Sequence, residues 1–162
     1  MNKIEILKSE KDGLKIKADI HRMAKEGWES ISEDDIQRLK WYGLFLRNPT
    51  PGFFMLRVRI PNGFSFSHQV RALCFIAETF GNGIIDITTR QQVQLRQLKI
   101  ENVPEVFDLL EEAGLTSTQT GMDNVRNIIG CPVAGLNPKE RVNAYAQVKA
   151  LTEHILNNSE FS

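Results

Sequence analysis

A proline-containing segment, Asn48-Pro49-Thr50-Pro51-Gly52, divides the chain into two parts with different patterning. Its prolines fix the local backbone and exclude a helix that runs through it. The residues before it carry helix signals, among them an apolar run closed by Gly27 and a serine, Ser32, placed to cap a helix. The residues after it alternate between strand and helix patterns. We therefore predict a helical arm over residues 1–52 and a separate unit that begins at residue 53.

Residues 53–119 predict a ferredoxin-like split βαβ sandwich of the α+β class. The predicted strands are residues 53–60, 84–88, 92–98 and 115–119, and the predicted helices begin at Ser67 and Val103 and stop at Gly81 and Gly114. Residues 120–162 form a third part, with a loop rich in glycine and asparagine and then a helix predicted from Asn137 to about Asn157.

Composition excludes several classes of function. The chain has 162 residues with 20 basic and 20 acidic side chains, and this balance argues against a nucleic-acid binder. No apolar run approaches the roughly 20 residues of a membrane span, and the polar start Met1-Asn2-Lys3 shows no secretory signal. Two cysteines, Cys74 and Cys131, cannot form a disulfide framework and indicate a reducing compartment. We expect a cytoplasmic protein.

One face of the predicted sheet is rich in arginine. Residues 53–100 hold six basic side chains, five of them arginine, against two acidic ones. If both helices cover the face that carries Leu56, Val58, Val93 and Leu95, the opposite face presents Met55, Arg57, Arg59, Gln94 and Arg96. The planar guanidinium group suits carboxylate and phosphate groups, so this face meets either water or an anionic ligand.

Two further segments lie at the edges of this face. Thr88-Thr89-Arg90-Gln91 joins two predicted strands and adds another arginine. Gly121-Met122-Asp123-Asn124-Val125-Arg126-Asn127 is either an ordinary connection or a loop that wraps a ligand lying on the face.

The sequence predicts no metal site in this chain. Its histidines, His21, His68 and His154, lack the spacing of metal ligands. Cys74 lies on an apolar helical stripe and is predicted to be a buried thiol. Two cysteines cannot hold a four-cysteine iron–sulfur cluster.

Taken together and in order, three segments resemble the sirohaem-dependent nitrite and sulfite reductases. They are Met55-Leu56-Arg57-Val58-Arg59-Ile60-Pro61-Asn62-Gly63, Thr88-Thr89-Arg90-Gln91 and the 121–127 loop. Glu10-Lys11-Asp12-Gly13-Leu14 and Leu39-Lys40-Trp41-Tyr42-Gly43 are similar to the N-terminal arm of the ferredoxin-dependent nitrite reductases. The resemblance implies a half domain that packs against sirohaem domains. It also implies reduction of nitrite to ammonia at sirohaem coupled to a [4Fe–4S] cluster, with ferredoxin as electron donor.

The resemblance also implies roles for individual residues. Arg57 and Arg126 match the two arginines that reach the substrate anion, where guanidinium charge would offset the burial of nitrite. The positions that match the cofactor periphery are Arg59, Arg90, Gln94, Arg96, Asn124 and Asn127.

The substrate-facing lysines and cluster cysteines of the family have no counterpart in this sequence. We therefore expect residues 120–162 to begin a sirohaem domain, and the chain to be an N-terminal fragment that cannot reduce nitrite alone. Exposed apolar side chains, left without the missing C-terminal part, predict self-association. A sulfite reductase is the nearest alternative, although Gln94-Leu95-Arg96 favours nitrite because sulfite reductases commonly have histidine at the third position. A stand-alone, non-catalytic ferredoxin-like binding module is the alternative from another class.

Overall fold

The computed structural model describes residues 3–161, so Met1, Asn2 and Ser162 lie outside the described residues. It confirms the α+β class. The helices are α1 (Lys3–Glu10), α2 (Ile20–Glu26), α3 (Glu33–Arg38), α4 (Ser67–Phe80), α5 (Val103–Glu112) and α6 (Tyr145–Leu156). The strands are β1 (Leu44–Leu46), β2 (Phe54–Val58), β3 (Ile85–Ile87) and β4 (Val93–Leu98). Among the described residues, no helix is long and apolar enough to cross a lipid bilayer.

The strands form one antiparallel sheet in the order β1-β2-β4-β3. Leu56 of β2 lies opposite Leu44 on one side and Leu95 on the other, so apolar side chains line up across the sheet. Arg57 lies opposite Gln94, which places polar side chains in the next row on the other face. A bulge between Phe54 and Leu56 shifts the register and keeps Leu98 on the core side.

The helices α4 and α5 cover the apolar face, as the sequence predicts. Leu56, Val58 and Leu95 are fully buried there, and Leu73 of α4 and Val106 of α5 pack in the same core. Gln69 anchors the start of α4, because its Oε1 accepts a hydrogen bond from the Phe66 backbone N–H at 3.0 Å. The predicted cap, Ser67, instead accepts a bond from Arg71.

The proline-containing segment is the turn of a hairpin between β1 and β2. Within it, Thr50 N donates to Arg47 O at 3.0 Å and Phe53 N donates to Thr50 O at 3.1 Å. Strand β1 lies in the part of the chain predicted as a helical arm, and the arm's apolar side chains, Ile16 and Leu39 among them, belong to the core that includes Leu56. The arm and the half domain therefore share one core, and the boundary at residue 52 remains a prediction from the sequence.

Three local predictions differ from the structure. The predicted strand over residues 115–119 is reduced to a bridge between Thr116 and Arg59, because Gln119 has a positive φ of 54° that ends extended pairing. Helix α6 begins at Tyr145, where Asn143 Oδ1 accepts the Tyr145 N–H. Asn137 Oδ1 accepts the Lys139 N–H in an earlier turn. The prediction of a buried Cys74 is wrong: Cys74 is exposed, because the buried stripe of α4 runs through Leu73, Ile76 and Ala77.

Candidate functional site

The sheet face opposite α4 and α5 holds the predicted polar row. Arg57 of β2, Gln94 of β4 and Asp86 of β3 lie side by side across three strands. Arg96 follows on β4, where its Nε donates to Asp86 Oδ2 and its Nη2 donates to Gln94 Oε1 at 3.4 Å. Its charge is therefore already paired with a carboxylate.

Arg57 is the half-buried cation of this face and has no carboxylate partner among residues 3–161. Its Nη1 donates to the carbonyl of Thr120 at 3.2 Å, and its guanidinium carbon lies 4.8 Å from the centre of the Phe45 ring. Burial, and then the positive charge of Arg126, lower the pKa of Arg57. An arginine remains protonated at neutral pH, so this site keeps an uncompensated positive charge.

Arg126 brings a second cation to the same place from the 121–127 loop. Its side chain is exposed, and its charge acts on Arg57 although the two residues are far apart in sequence. The acid of this loop, Asp123, is held by Lys8 of α1 at 2.9 Å. Two like charges brought together favour an anion between or beside them.

Arg59 follows β2 directly and lies beneath the loop, with only 1% of its surface exposed. Its Nη2 donates to the carbonyls of Gln119 at 2.6 Å and Val125 at 2.9 Å, and its Nη1 donates to the carbonyl of Arg126 at 3.3 Å. Burial lowers the pKa of Arg59 to about 10, which still leaves it charged at neutral pH. Among the described residues, this guanidinium is turned toward backbone rather than toward the open face.

Asn127 connects three parts of the site. Its Nδ2 donates to the carbonyls of Ile60 at 2.8 Å and Arg90 at 2.9 Å, so the loop, the end of β2 and the β3–β4 turn are held together. Asn124 is equally buried, and its Nδ2 donates to the carbonyl of Gly121 at 2.8 Å. The Arg90 side chain is exposed at the edge of the face.

Several buried polar atoms near this loop have no hydrogen-bond partner within residues 3–161. They are Nε of Arg57 and Arg59, both amide atoms of Gln119, and Oδ1 of Asn62, Asn124 and Asn127. Buried polar groups are normally paired, so this cluster indicates a place where water, a ligand or further protein is bound. Sequence reasoning did not single out Asn62, Gln119 or Phe45, because these residues fall in a turn, a predicted strand and the predicted arm.

The described residues contain no group of three or more His, Cys, Asp or Glu side chains able to hold a metal ion. Both cysteines are exposed free thiols.

Comparison with known proteins identifies the half domain. Residues 47–113 match the family described as "Nitrite/Sulfite reductase ferredoxin-like half domain". The chain is 48% identical over 162 residues to a protein named ferredoxin–nitrite reductase from Leptolyngbya laminosa. Residues 47–113 belong to the nitrite/sulfite reductase half-domain family. The region matched by the half-domain family contains Arg57, Arg59, Arg90, Gln94 and Arg96, and Arg126 lies beyond it.

Further relatives of the nitrite/sulfite reductase family support the same assignment. The ferredoxin–nitrite reductase of Synechococcus elongatus is 47% identical over 168 aligned residues that cover 100% of this chain and 33% of that protein. The solved structure titled "Structure of Mycobacterium tuberculosis NirA protein" superposes with a TM-score of 0.90 at 28% identity, over 97% of this chain and 32% of that one. The Leptolyngbya alignment covers 99% of this chain and 32% of its relative. The chain therefore spans about a third of the length of the relatives that it matches.

Proposed function

We propose that this chain is the N-terminal part of an assimilatory, cytoplasmic nitrite reductase that takes electrons from ferredoxin and reduces nitrite to ammonia. The observation that carries the proposal is Arg57, a half-buried cation that bonds to the Thr120 carbonyl just before the loop on which the exposed Arg126 lies; neither arginine has a carboxylate partner among the described residues. The names of the relatives, ferredoxin–nitrite reductase, supply the substrate and the electron donor.

The two arginines would bind and orient the anion. Arg57 is half-buried, and its guanidinium is fixed by the Thr120 carbonyl and the Phe45 ring. A fixed cation in a partly desolvated place stabilises negative charge that develops on nitrite oxygens without reorganising first. Exposed Arg126 would cover the anion from the loop side.

The residues present fit a cofactor rimmed with carboxylates such as sirohaem. Arg57, Arg90 and Arg126 have no carboxylate partner within residues 3–161, and the Nε of Arg57 is buried without an acceptor. We propose that Arg90, with Gln94 on the same face, holds the carboxylate rim, while Arg57 and Arg126 face the substrate anion. Sirohaem, when bound, supplies the iron chemistry of the multi-electron reduction.

The [4Fe–4S] cluster does not fit the residues of this chain. Four cysteine ligands are required, and the sequence has two cysteines, both exposed. We therefore assign no step through a cluster to these residues.

Arg96 contributes less free positive charge to the cofactor rim than the sequence predicts, because it is already paired with Asp86.

The proposal is tested in the native polypeptide that carries residues 1–162, purified with its cofactors. We expect nitrite-dependent oxidation of reduced ferredoxin, and a fall of about 100-fold or more in kcat/KM for nitrite in Arg57→Ala and in Arg126→Ala. The control is Arg71→Ala, because Arg71 is an exposed arginine on α4 whose side chain bonds, among the described residues, to Ser67 alone. Wild-type turnover in both site variants would overturn the role of the arginines.

The same preparation separates the alternatives. Turnover of sulfite without turnover of nitrite would identify a sulfite reductase. A native polypeptide no longer than this chain, with turnover of neither anion, would identify a non-catalytic binding module.

A further inference from the structure

The geometry points to Arg59 as the positioning residue that holds the 119–127 segment, so that Arg126 sits beside Arg57. This inference rests on the proposed function only for the anion that the two arginines bind. It assigns Arg59 a role beneath the face rather than contact with the cofactor.

The first step is the cost of the buried charge. Arg59 is 1% exposed and has no carboxylate partner among residues 3–161, and a buried charge is costly unless hydrogen bonds surround it. Its partners are three backbone carbonyls, those of Gln119, Val125 and Arg126. If the 119–127 segment moved away, the buried Arg59 guanidinium would lose these three hydrogen bonds. The segment and the guanidinium therefore stabilise each other.

The second step is that no other hydrogen-bond donor within the described residues binds these carbonyls. The segment contains no helix or strand, and the carbonyls of Gln119, Val125 and Arg126 accept no backbone N–H within the described residues. Gln119 and Met122 also adopt positive φ values of 54°, which few residues other than glycine adopt. The rigid fork of an arginine reaches all three oxygens at once, which the single nitrogen of a lysine does less well.

The third step is that the held segment carries the functional cation. One of the three carbonyls belongs to Arg126 itself, whose charge acts on Arg57. Arg57 and Arg126 repel each other, so something must keep them together when no anion is bound. A further hydrogen bond joins the segment to β2, because the Thr120 hydroxyl donates to the Arg57 carbonyl at 3.0 Å.

The test compares Arg59→Met and Arg59→Lys with Arg71→Met, which removes an exposed arginine from α4. Amide hydrogen exchange is followed at Gln119, bonded to the Trp41 carbonyl, and at Asn62, bonded to the Ile128 carbonyl, because these two bonds close the ends of the loop. We expect exchange at both amides to rise at least tenfold in Arg59→Met and less in Arg59→Lys. Amides of β2 and β4 should be unchanged, which shows that the fold persists. Unchanged exchange at Gln119 in a folded Arg59→Met would overturn the inference.

A second measurement needs no variant. In the wild-type chain, the three hydrogen bonds should stop rotation of the Arg59 guanidinium about its Nε–Cζ bond on the millisecond timescale, as seen by NMR. A freely rotating Arg59 would overturn the inference even if the variants fail to fold.

Turnover separates this inference from the proposed function. In the native polypeptide, Arg59→Met should raise KM for nitrite about tenfold, and Arg59→Lys should recover part of the loss. A purely structural role would lower the folded fraction and kcat and leave KM unchanged. If the wild-type protein reduces no nitrite while loop exchange responds to Arg59, the positioning role stands and the proposed function fails.

Discussion

At the scale of single residues, the site depends on how closely the 119–127 segment approaches the rest of the chain. Gly121 is a point of close approach, because a Cβ there would collide with the Lys40 carbonyl and lie 2.7 Å from Cζ of Phe45. The approach places Phe45 against Arg57 and lets Thr120 bond to the same strand. A glycine at this position is therefore required by space rather than by backbone angles.

We predict that Gly121→Ala lowers the free energy of unfolding by about 1–3 kcal/mol, because backbone on one side and a ring on the other must both move. Gly83→Ala is the control: nothing lies within 4 Å of its Cβ, but its φ of +74° costs a side chain about 1 kcal/mol. Urea denaturation of both variants measures the difference. A loss in Gly121→Ala no larger than in Gly83→Ala would contradict the steric argument.

At the scale of elements, helix α6 packs on the rest of the fold through one side only. It packs mainly on the turn Pro61–Gly63 through one stripe of side chains that includes Val148, Thr152 and Ile155. The opposite side is open, and Leu151 is 51% exposed. Elements with few buried apolar contacts open before the core does, so α6 should detach without global unfolding.

We predict that Ile155→Ala speeds hydrogen exchange of the α6 amides at least tenfold, which corresponds to a loss of about 1.4 kcal/mol. Ile155 is 6% exposed, and Leu151→Ala on the same helix is the matched control with little effect. The amides of α4 should not respond to either change. Equal effects of the two substitutions would show that α6 does not pack as described.

Sequence patterning predicted the elements whose signals are local. Helices α2, α4 and α5 have apolar stripes and glycine stops, and the alternation of β2 correctly separated the apolar from the arginine side. Strand β1 was missed because three apolar residues inside a helical region carry no alternation. The start of α6 was placed too early, since Asn137 and Asn143 offer the same local turn chemistry and only packing selects between them.

The site was predictable only in part for a similar reason. The sequence places arginines on one face, but it does not show which of them already have partners. Arg96 forms an ion pair with Asp86 on the neighbouring strand. Arg59 donates hydrogen bonds to carbonyls that lie 60 or more residues away in the sequence. These long-range contacts distinguish a paired or buried guanidinium from an exposed one such as Arg126, which has no carboxylate partner in the part of the chain that the structure describes.

At the scale of the whole molecule, exposed apolar side chains lie beside an edge of the sheet. Strand β3 is the last strand of the sheet, and Ile87 on it is 82% exposed. Ile87 and Val70, which is 45% exposed, line one cleft of about 370 Å³. An unpaired edge beside exposed apolar side chains is a place where another chain or another part of the same protein adds on.

We therefore predict that this chain alone self-associates through the β3 edge, measured as a rise of the sedimentation coefficient with concentration. Ile87→Asp should restore the monomer, because a carboxylate at the edge opposes both strand pairing and apolar contact. Leu136→Asp is the matched control, since Leu136 is 80% exposed but lines a different cleft, beside Tyr145. A wild-type chain that stays monomeric at every concentration, or an equal response to both substitutions, would exclude the β3 edge as the interface. Because β3 lies beside β4, the strand that carries Gln94 and Arg96, association at this edge would also change access to the arginine face.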